Sequence, residues 1–102
     1  MMTKQLTVLS IAVLHAVARG TKHGSEIIAV CQAPGGTVYP ALTRLERDGL
    51  LTSDWEDVAT SRSEKRPPRH YYAITPSGVR ALNDALARIH AMSPISVRPR
   101  RS

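Results

Sequence analysis

The sequence predicts an α+β fold that is mostly helical, with three short helices, a β-hairpin and a fourth helix in that order. Two observations predict it. Apolar residues recur at helical spacing before residue 46 and again after residue 75. Between these regions the pattern changes to short runs rich in aromatic and β-branched residues, which is typical of strands. The 102 residues are enough for one domain with one modest core.

The first two helices are expected at residues 5–18 and in the stretch SEIIAVCQA. The first helix carries apolar residues on more than one side and ends at Arg19-Gly20. The second helix takes Ser25 or Gly24 as its N-cap, and Pro34 with the two glycines that follow breaks it.

The third helix lies in the stretch GGTVYPALTRLERDGLL and contains Pro40. Proline lacks an amide hydrogen and clashes with the carbonyl group four residues before it, so it is tolerated in the first turn of a helix. We therefore expect the helix to span residues 37–48, with Thr37 as N-cap and its hydroxyl accepting from the Tyr39 amide. Gly49 ends it.

The hairpin is expected from LLTSDWED and RHYYAIT, two strand-like runs joined by a long polar stretch. Pro67-Pro68 and the surrounding charges predict no regular structure at its tip. Trp55 is expected to pack at the base of the hairpin, and one of Tyr71 and Tyr72 should face the core.

The fourth helix is predicted to begin after Thr75, with Thr75 as N-cap and Pro76 at the first helical position. Its apolar residues form a stripe at spacings of three and four: Val79, Leu82, Leu86 and Ile89. This order of elements is that of a winged helix-turn-helix DNA-binding domain, which we expect at residues 1–75. A C-terminal dimerisation helix is expected at 76–92 and a disordered basic tail at 93–102.

Charge is distributed unevenly along the chain. Residues 1–60 carry five Lys/Arg and six Asp/Glu, whereas residues 61–102 carry nine and two, so the net charges are −1 and +7. Such a local excess favours a polyanionic partner, nucleic acid first and an anionic membrane second, although a solvated loop and tail would also look this way.

Several classes of protein and site are not supported. No apolar run reaches the roughly 18 residues of a membrane span, and the N-terminal stretch is a poor signal peptide, so a cytoplasmic location is expected. A nucleic-acid partner would make the protein nucleoid-associated. The scattered histidines and the single Cys31 predict no metal site, no disulfide and no cofactor. No nucleophile–base pair or paired carboxylates are visible, so no enzyme is expected.

In a winged helix-turn-helix protein the second of two turn-linked helices enters the DNA major groove, and here that is the third helix. Its outward residues are small, flat or hydroxylated, including Pro40, so another surface can approach closely. Thr37 and Tyr39 are candidates to bind backbone phosphates at the helix N-terminus, although Tyr39 could instead pack beside the wing. Arg44 is the candidate base reader, since arginine pairs with guanine through two hydrogen bonds.

Two stretches resemble the PadR family of bacterial transcriptional regulators. The first is GGTVYPALTRLERDGLL and the second RPPRHYYAITPSGVRAL, and the HGSEI of the second helix resembles the family's His-Gly-Tyr-Glu-Ile, with Ser25 replacing the aromatic residue. The resemblance covers residues 6–90. The segment between the second and third helices is shorter than in many relatives, and the C-terminal part is one helix, as in the family's small subgroup.

The resemblance implies a homodimeric repressor on a palindromic operator of double-stranded DNA. The third helix would lie in the major groove, and a basic wing, residues 62–70, would reach the minor groove or its phosphates. The DNA contacts carried over are Thr37, Tyr39 and Arg44 on the helix and Lys65, Arg66 and Arg69 on the wing. Lys22 and His23 are further phosphate candidates, with a plain surface loop as the alternative.

Family dimers use the first helix and the C-terminal helix, so the expected dimer contacts are Leu6, Leu9, Val13, Val79, Leu82, Leu86 and Ile89. The C-terminal stripe could instead pack on its own domain. A small-molecule effector would have to bind in the dimer interface, because no separate effector domain is visible. Two alternatives remain open: a winged-helix module whose basic loop binds an acidic protein, and a redox or ligand sensor acting through Cys31.

Overall fold

The computed structural model describes residues 6–92 of the chain. The first helix, α1, spans Val8–Ala18 and not the predicted 5–18, because the Thr7 hydroxyl accepts a hydrogen bond from the Ser10 amide at 3.0 Å and caps the helix there. The second helix, α2, spans Gly24–Cys31. Its N-cap position is held by His23, so both predicted caps lie one or two residues too late.

The third helix, α3, spans Gly35–Arg47, and the prediction that it starts at Thr37 is wrong. Pro34 is at the N-cap position, and the Thr37 amide donates to the Pro34 carbonyl at 2.9 Å. Pro40 therefore lies inside the helix and leaves the Gly36 carbonyl without its usual donor. Gly36 is exposed, so water can bond to that carbonyl. This is why the proline does not force a later start.

The two predicted strands are present. Strand β1, Leu51–Trp55, pairs antiparallel with β2, His70–Ile74, so that Leu51 faces Ile74 and Trp55 faces His70. The backbone before α2 adds to the free edge of β2, where the Tyr72 amide donates to the Lys22 carbonyl at 2.7 Å. The start of α2 is thereby fixed beside the hairpin.

The segment between the strands contains a short helix, α4, Val58–Ser63, which the sequence analysis did not predict. The Asp57 carboxylate caps its start by accepting from the Ala59 amide at 3.3 Å. It ends in a Schellman motif in which Lys65 has a left-handed φ of 56° and the Arg66 amide donates to the Ser61 carbonyl. The expectation of an irregular segment holds only for the stretch around the two prolines that follow.

The last helix, α5, spans Pro76–Ala91 and starts as predicted. The Thr75 hydroxyl accepts from the Gly78 amide at 3.0 Å and donates to the Gly49 carbonyl at 2.7 Å. One side chain therefore caps α5 and fixes it to the turn after α3. The turn contains Gly49, the residue predicted to end α3, and its φ of 79° is in the left-handed region that favours glycine.

The core lies where α1, α2, α3 and the hairpin meet, and α5 closes it. Tyr72 is the tyrosine that faces this core, as predicted for one of the pair, and it is 8% exposed. Within residues 6–92 no helix is long and apolar enough to cross a membrane. The large side chains that are almost completely buried are Val13, Leu14, Ile27, Val38, Leu42, Leu45 and Leu51.

Candidate nucleic-acid interface

The surface of α3 is divided cleanly into an inner and an outer face. The inner face is buried in the core and consists of Val38, Ala41, Leu42 and Leu45. Three predicted contact residues, Thr37, Pro40 and Arg44, are exposed and follow one another at helical spacing on the outer face. No acidic side chain occurs in α3 before Glu46. An anionic backbone can therefore approach the first three turns without repulsion from the helix itself.

Tyr39 lies between α3 and the start of α2. A Cβ atom added to Gly24 would be 2.6 Å from the Tyr39 hydroxyl, so the ring lies directly on the Gly24 backbone. Tyr39 is nevertheless 44% exposed. Tyr39 therefore lies at the helix-turn-helix junction, in contact with α2 and partly open to solvent. Tyr39 was expected either to bind a phosphate or to pack beside the wing. Its ring packs on α2, and a cleft lies between it and the wing.

Lys22 and His23, the two further candidates, lie in different environments. Lys22 is exposed, and its amide donates to the Glu26 carboxylate at 3.1 Å. That hydrogen bond is the main reason that the pKa of Glu26 is lowered. The His23 ring is half-buried, with Nδ1 3.2 Å from the Ser25 hydroxyl and an edge-on contact with Tyr71. Lys22 is therefore open to a phosphate, and His23 mainly fixes the start of α2.

The three predicted wing cations also differ. Lys65 is exposed at the turn that ends α4. The Arg66 guanidinium instead donates two hydrogen bonds to the Glu56 carboxylate, at 2.6 and 2.8 Å, and contacts Glu64 at 3.0 Å. Arg69 is half-buried, and its amide donates to Glu56 at 3.1 Å. Arg66 is thus held within the chain, while Lys65 presents its charge to solvent.

Glu56 is the site residue that sequence reasoning missed. It lies ten positions from Arg66, in a stretch treated as the end of a strand, and no local spacing pairs the two residues. The hydrogen bonds from Arg66 come first among the causes that lower the pKa of Glu56 to about 2. Its carboxylate also accepts from the Arg69 amide, so one side chain binds two points of the basic wing, the Arg66 guanidinium and the Arg69 backbone.

This pKa gives a testable pH dependence. Glu56 has a lower pKa in the folded chain, about 2, than the usual 4.5, so its ionised form stabilises the fold above the unfolded value. We expect the difference in unfolding free energy between the native chain and Glu56→Gln to be constant above about pH 5 and to shrink as the pH falls toward 2. Urea titrations at each pH measure it. A difference that does not vary with pH would contradict this role for Glu56.

A cleft of about 590 Å³, here called the wing cleft, separates the start of α2 and Tyr39 from the basic wing. Trp55 forms part of its wall. It is stacked on His70 at the loop end of the hairpin, so the prediction that it packs at the base is wrong. The lining residues are His23, Gly24, Ser25, Tyr39, Trp55, Arg66, Pro67, Pro68, Arg69 and His70.

The residues expected at a dimer interface divide into buried and exposed ones. Val13 and Leu82 are 0% and 5% exposed in the core of the single chain, so they have little surface left for a partner. Leu6 and Leu9 are half-buried at the edge of the core. The exposed members of the set are Val79, Leu86 and Ile89 of α5.

Beside these residues an apolar groove of about 210 Å³ runs between the start of α1 and the end of α5. Val8 and Met92, which the sequence analysis did not include, are 83% and 70% exposed there. The groove is smaller than the roughly 300–1,000 Å³ of usual small-molecule sites, so an effector site in this position would need a second subunit. Its lining is Leu6, Val8, Ile11, Ala85, Arg88, Ile89 and Met92.

Cys31 does not resemble a sensor thiol. It is half-buried at the end of α2, and burial raises the pKa of its thiol. A raised pKa lowers the reactive thiolate fraction, which argues against redox sensing by this residue. In the described part of the chain, no three His, Cys, Asp or Glu side chains are grouped closely enough to hold a metal ion.

Three helices, a hairpin with a basic connection and a following helix define a winged helix-turn-helix protein. The model of the PadR-like family of transcriptional regulators matches residues 13–84. The chain belongs to this family, which comprises transcriptional regulators and is not a family of enzymes. The family resemblance and the fold expected from the sequence are thus both confirmed, and transcription regulation through DNA is the activity of the class.

Relatives of known sequence and structure agree with this assignment. The chain is 34% identical over 85 residues to Transcriptional regulator Rv3488 of Mycobacterium tuberculosis, covering 78% of this chain and 74% of the relative. A PadR-like transcription factor from Bacteroides fragilis superimposes with a TM-score of 0.71 at 29% identity, over 82% of each chain. The PcaV regulator of Streptomyces coelicolor shares the fold, with a TM-score of 0.73 at 22% identity over 90% of this chain and 61% of that one.

Proposed function

We propose that this protein is a sequence-specific repressor that binds a palindromic operator as a homodimer in the cytoplasm. The observation that carries the proposal is the division of α3 described above. Its apolar face holds the helix in the core, and its acid-free outer face presents Thr37, Pro40 and Arg44 to a major groove.

The contacts fall into two groups with different tasks. Arg44 reads a base edge, because it is exposed and lies on the outer face of α3, and because its guanidinium makes no hydrogen bond or ion pair to another residue of the described range 6–92. Phosphates are bound by Lys22, Lys65 and the start of α3, with the Tyr39 hydroxyl at the junction. Arg66 stabilises the basic wing by its two hydrogen bonds to Glu56, so its guanidinium does not bind a phosphate.

Salt dependence tests DNA binding against the acidic-protein alternative. We expect the logarithm of the binding constant for a duplex to fall linearly with the logarithm of salt concentration. Lys65→Ala should reduce the slope by about one for every duplex sequence, because one phosphate contact is lost. Arg80→Ala, which removes an exposed charge from α5, is the matched control and should leave the slope unchanged.

The operator itself is found by sequencing duplexes that the purified protein retains in the presence of nonspecific competitor DNA. A symmetric dimer predicts an inverted repeat whose half-sites are about one helical turn, ~34–36 Å, apart. If the protein retains no preferred sequence and competitor DNA abolishes its binding, it is not a sequence-specific regulator.

The homodimer is proposed from the exposed apolar side chains of α5 and of the groove beside it. A surface of this kind is unusual on a small monomer, and a second copy would cover it. We propose that Val79, Leu86 and Ile89 pack against the partner together with Val8 and Met92. Val13 and Leu82 then support the interface from within the core.

A single charge in that stripe should separate the subunits. Ile89 is 46% exposed, and Ile89→Asp would place an unpaired carboxylate in an apolar interface. We expect this variant to sediment as a monomer and to lose operator binding, since each half-site contact alone is weak. Ala87→Asp puts the same charge on an exposed position of α5 that is turned away from Val79, Leu86 and Ile89, and it should remain dimeric. A dimeric Ile89→Asp would place the interface elsewhere.

A further inference from the structure

Trp55 is unusual because it is a large aromatic residue left 64% exposed at the end of β1. Its ring lies parallel to that of His70, with centroids 4.2 Å apart and an angle of 11° between the planes. His70 is in turn supported by Tyr72, whose hydroxyl is 3.1 Å from His70 Nδ1. Stacking covers one face of the indole and fixes its orientation, so the other face is a rigid, open apolar surface.

The wing cleft places this surface next to positive charge. The charged residues that line it are Arg66 and Arg69. The charge of Arg66 is compensated by Glu56, whose carboxylate is 8% exposed. The Arg69 amide donates to Glu56, but the Arg69 guanidinium interacts with Glu26 and Glu56 only through space and has no hydrogen-bond partner within residues 6–92. The cleft therefore offers one guanidinium without a hydrogen bond beside an indole face.

We propose that the wing cleft seats one strand of the bound duplex, with a phosphate on Arg69 and the adjoining deoxyribose packed on the open face of Trp55. The sugar is the partner because bases stay stacked inside a duplex, while sugars and phosphates are accessible from outside. The position agrees, because the cleft lies between Tyr39 of α3 and the basic wing, which approach the same duplex. This inference rests on the proposed function and assigns a contact to Trp55.

The contact is independent of base sequence. A sugar and a phosphate carry no sequence information, so Trp55 contributes to affinity for operator and random DNA alike. A chain that lacks the indole should lose affinity without losing specificity. Because no charge is removed, its salt dependence should match that of the native chain.

Fluorescence tests the contact directly, since Trp55 is the one tryptophan among the 102 residues. We expect a random duplex of about two turns, ~21 base pairs, to change its emission and to protect it from acrylamide quenching. Both changes should saturate at the DNA concentration that shifts the protein in a gel. A full gel shift with unchanged quenching would overturn this inference and leave the proposed function intact.

Substitution provides the second test. Trp55→Ala should weaken binding of operator and random duplexes by about tenfold with an unchanged salt slope, and Trp55→Phe should retain most of the affinity. Val58→Ala removes an exposed apolar side chain outside the cleft and should bind like the native chain. Native affinity of a folded Trp55→Ala would overturn the inference. If Trp55→Ala does not fold, the acrylamide experiment on the native chain tests the inference: protection of Trp55 by the duplex supports it, and unchanged quenching overturns it.

Two further outcomes separate this inference from the proposed function. If no duplex shifts the native chain at any salt concentration, both are wrong. If polyglutamate protects Trp55 from acrylamide and duplex DNA does not, the wing cleft binds an acidic polypeptide, and the inference is overturned.

Discussion

Gly78→Ala is expected to lower the free energy of unfolding by at least about 3 kcal/mol, the upper range for overpacking in a core. Gly78 is buried in the first turn of α5. A Cβ atom added there would overlap the Leu50 carbonyl oxygen and lie 2.7 Å from Ile74 Cγ1. The carbonyl belongs to the backbone between α3 and β1, and it accepts from the Thr75 amide, so it cannot move aside without losing that hydrogen bond.

Thermal or urea unfolding at equal protein concentration measures the effect, which corresponds to roughly 12–24 °C in midpoint for a domain of this size. Gly36→Ala is the matched control. It is also a glycine in the first turn of a helix, but an added Cβ there meets nothing within 4 Å. Alanine should be neutral or slightly stabilising at this position. Equal stabilities of the two variants would show that α5 can move away from the turn.

Arg44→Ala is expected to have the largest effect on operator recognition. Each bidentate contact from arginine to guanine discriminates against the wrong base by about 1–3 kcal/mol, which corresponds to roughly 5- to 150-fold in affinity. The loss should be confined to the preferred sequence, because random duplexes do not offer the guanine in register. The variant should therefore relax specificity at one base pair of each half-site while the fold stays unchanged.

Arg47→Ala is the matched control for Arg44, since it removes the same charge from the same helix. Arg47 lies in the last turn and is 3.9 Å from the Asp48 carboxylate. Arg44→Lys keeps the charge but not the planar pair of donors, and it should lose specificity nearly as strongly as alanine. Binding competitions between the selected operator and single-base variants measure both effects. Unchanged preference in Arg44→Ala would assign base reading to another residue.

The sequence was sufficient for the parts of the fold that local chemistry decides. Apolar spacing predicted the inner face of α3, and Thr75-Pro76 predicted the start of α5. Two runs rich in aromatic and β-branched residues, separated by a polar stretch, predicted the hairpin. The same local reasoning misplaced the start of α3, because it treated Pro40 as a bar to earlier helical residues. An exposed carbonyl at Gly36 can bind water, and this removes most of the cost of the missing amide.

The candidate site was predictable only in its composition. The sequence determined that a basic stretch follows a helix with no acidic side chain in its first three turns. Arg44 could be proposed from that helix, and Lys65 from the family resemblance, before their positions were known. Only the tertiary structure decided that Arg66 turns inward to Glu56, because the two residues are ten positions apart and meet through the closure of the wing.

The same distinction applies to the aromatic residues and to α5. The register of the hairpin places Trp55 next to His70. The pairing of β2 with the backbone before α2 places their cleft opposite Tyr39. The need for glycine at position 78 likewise depends on the carbonyl of Leu50. Local spacing determines which face a residue is on, whereas contacts between distant segments depend on how the whole chain packs.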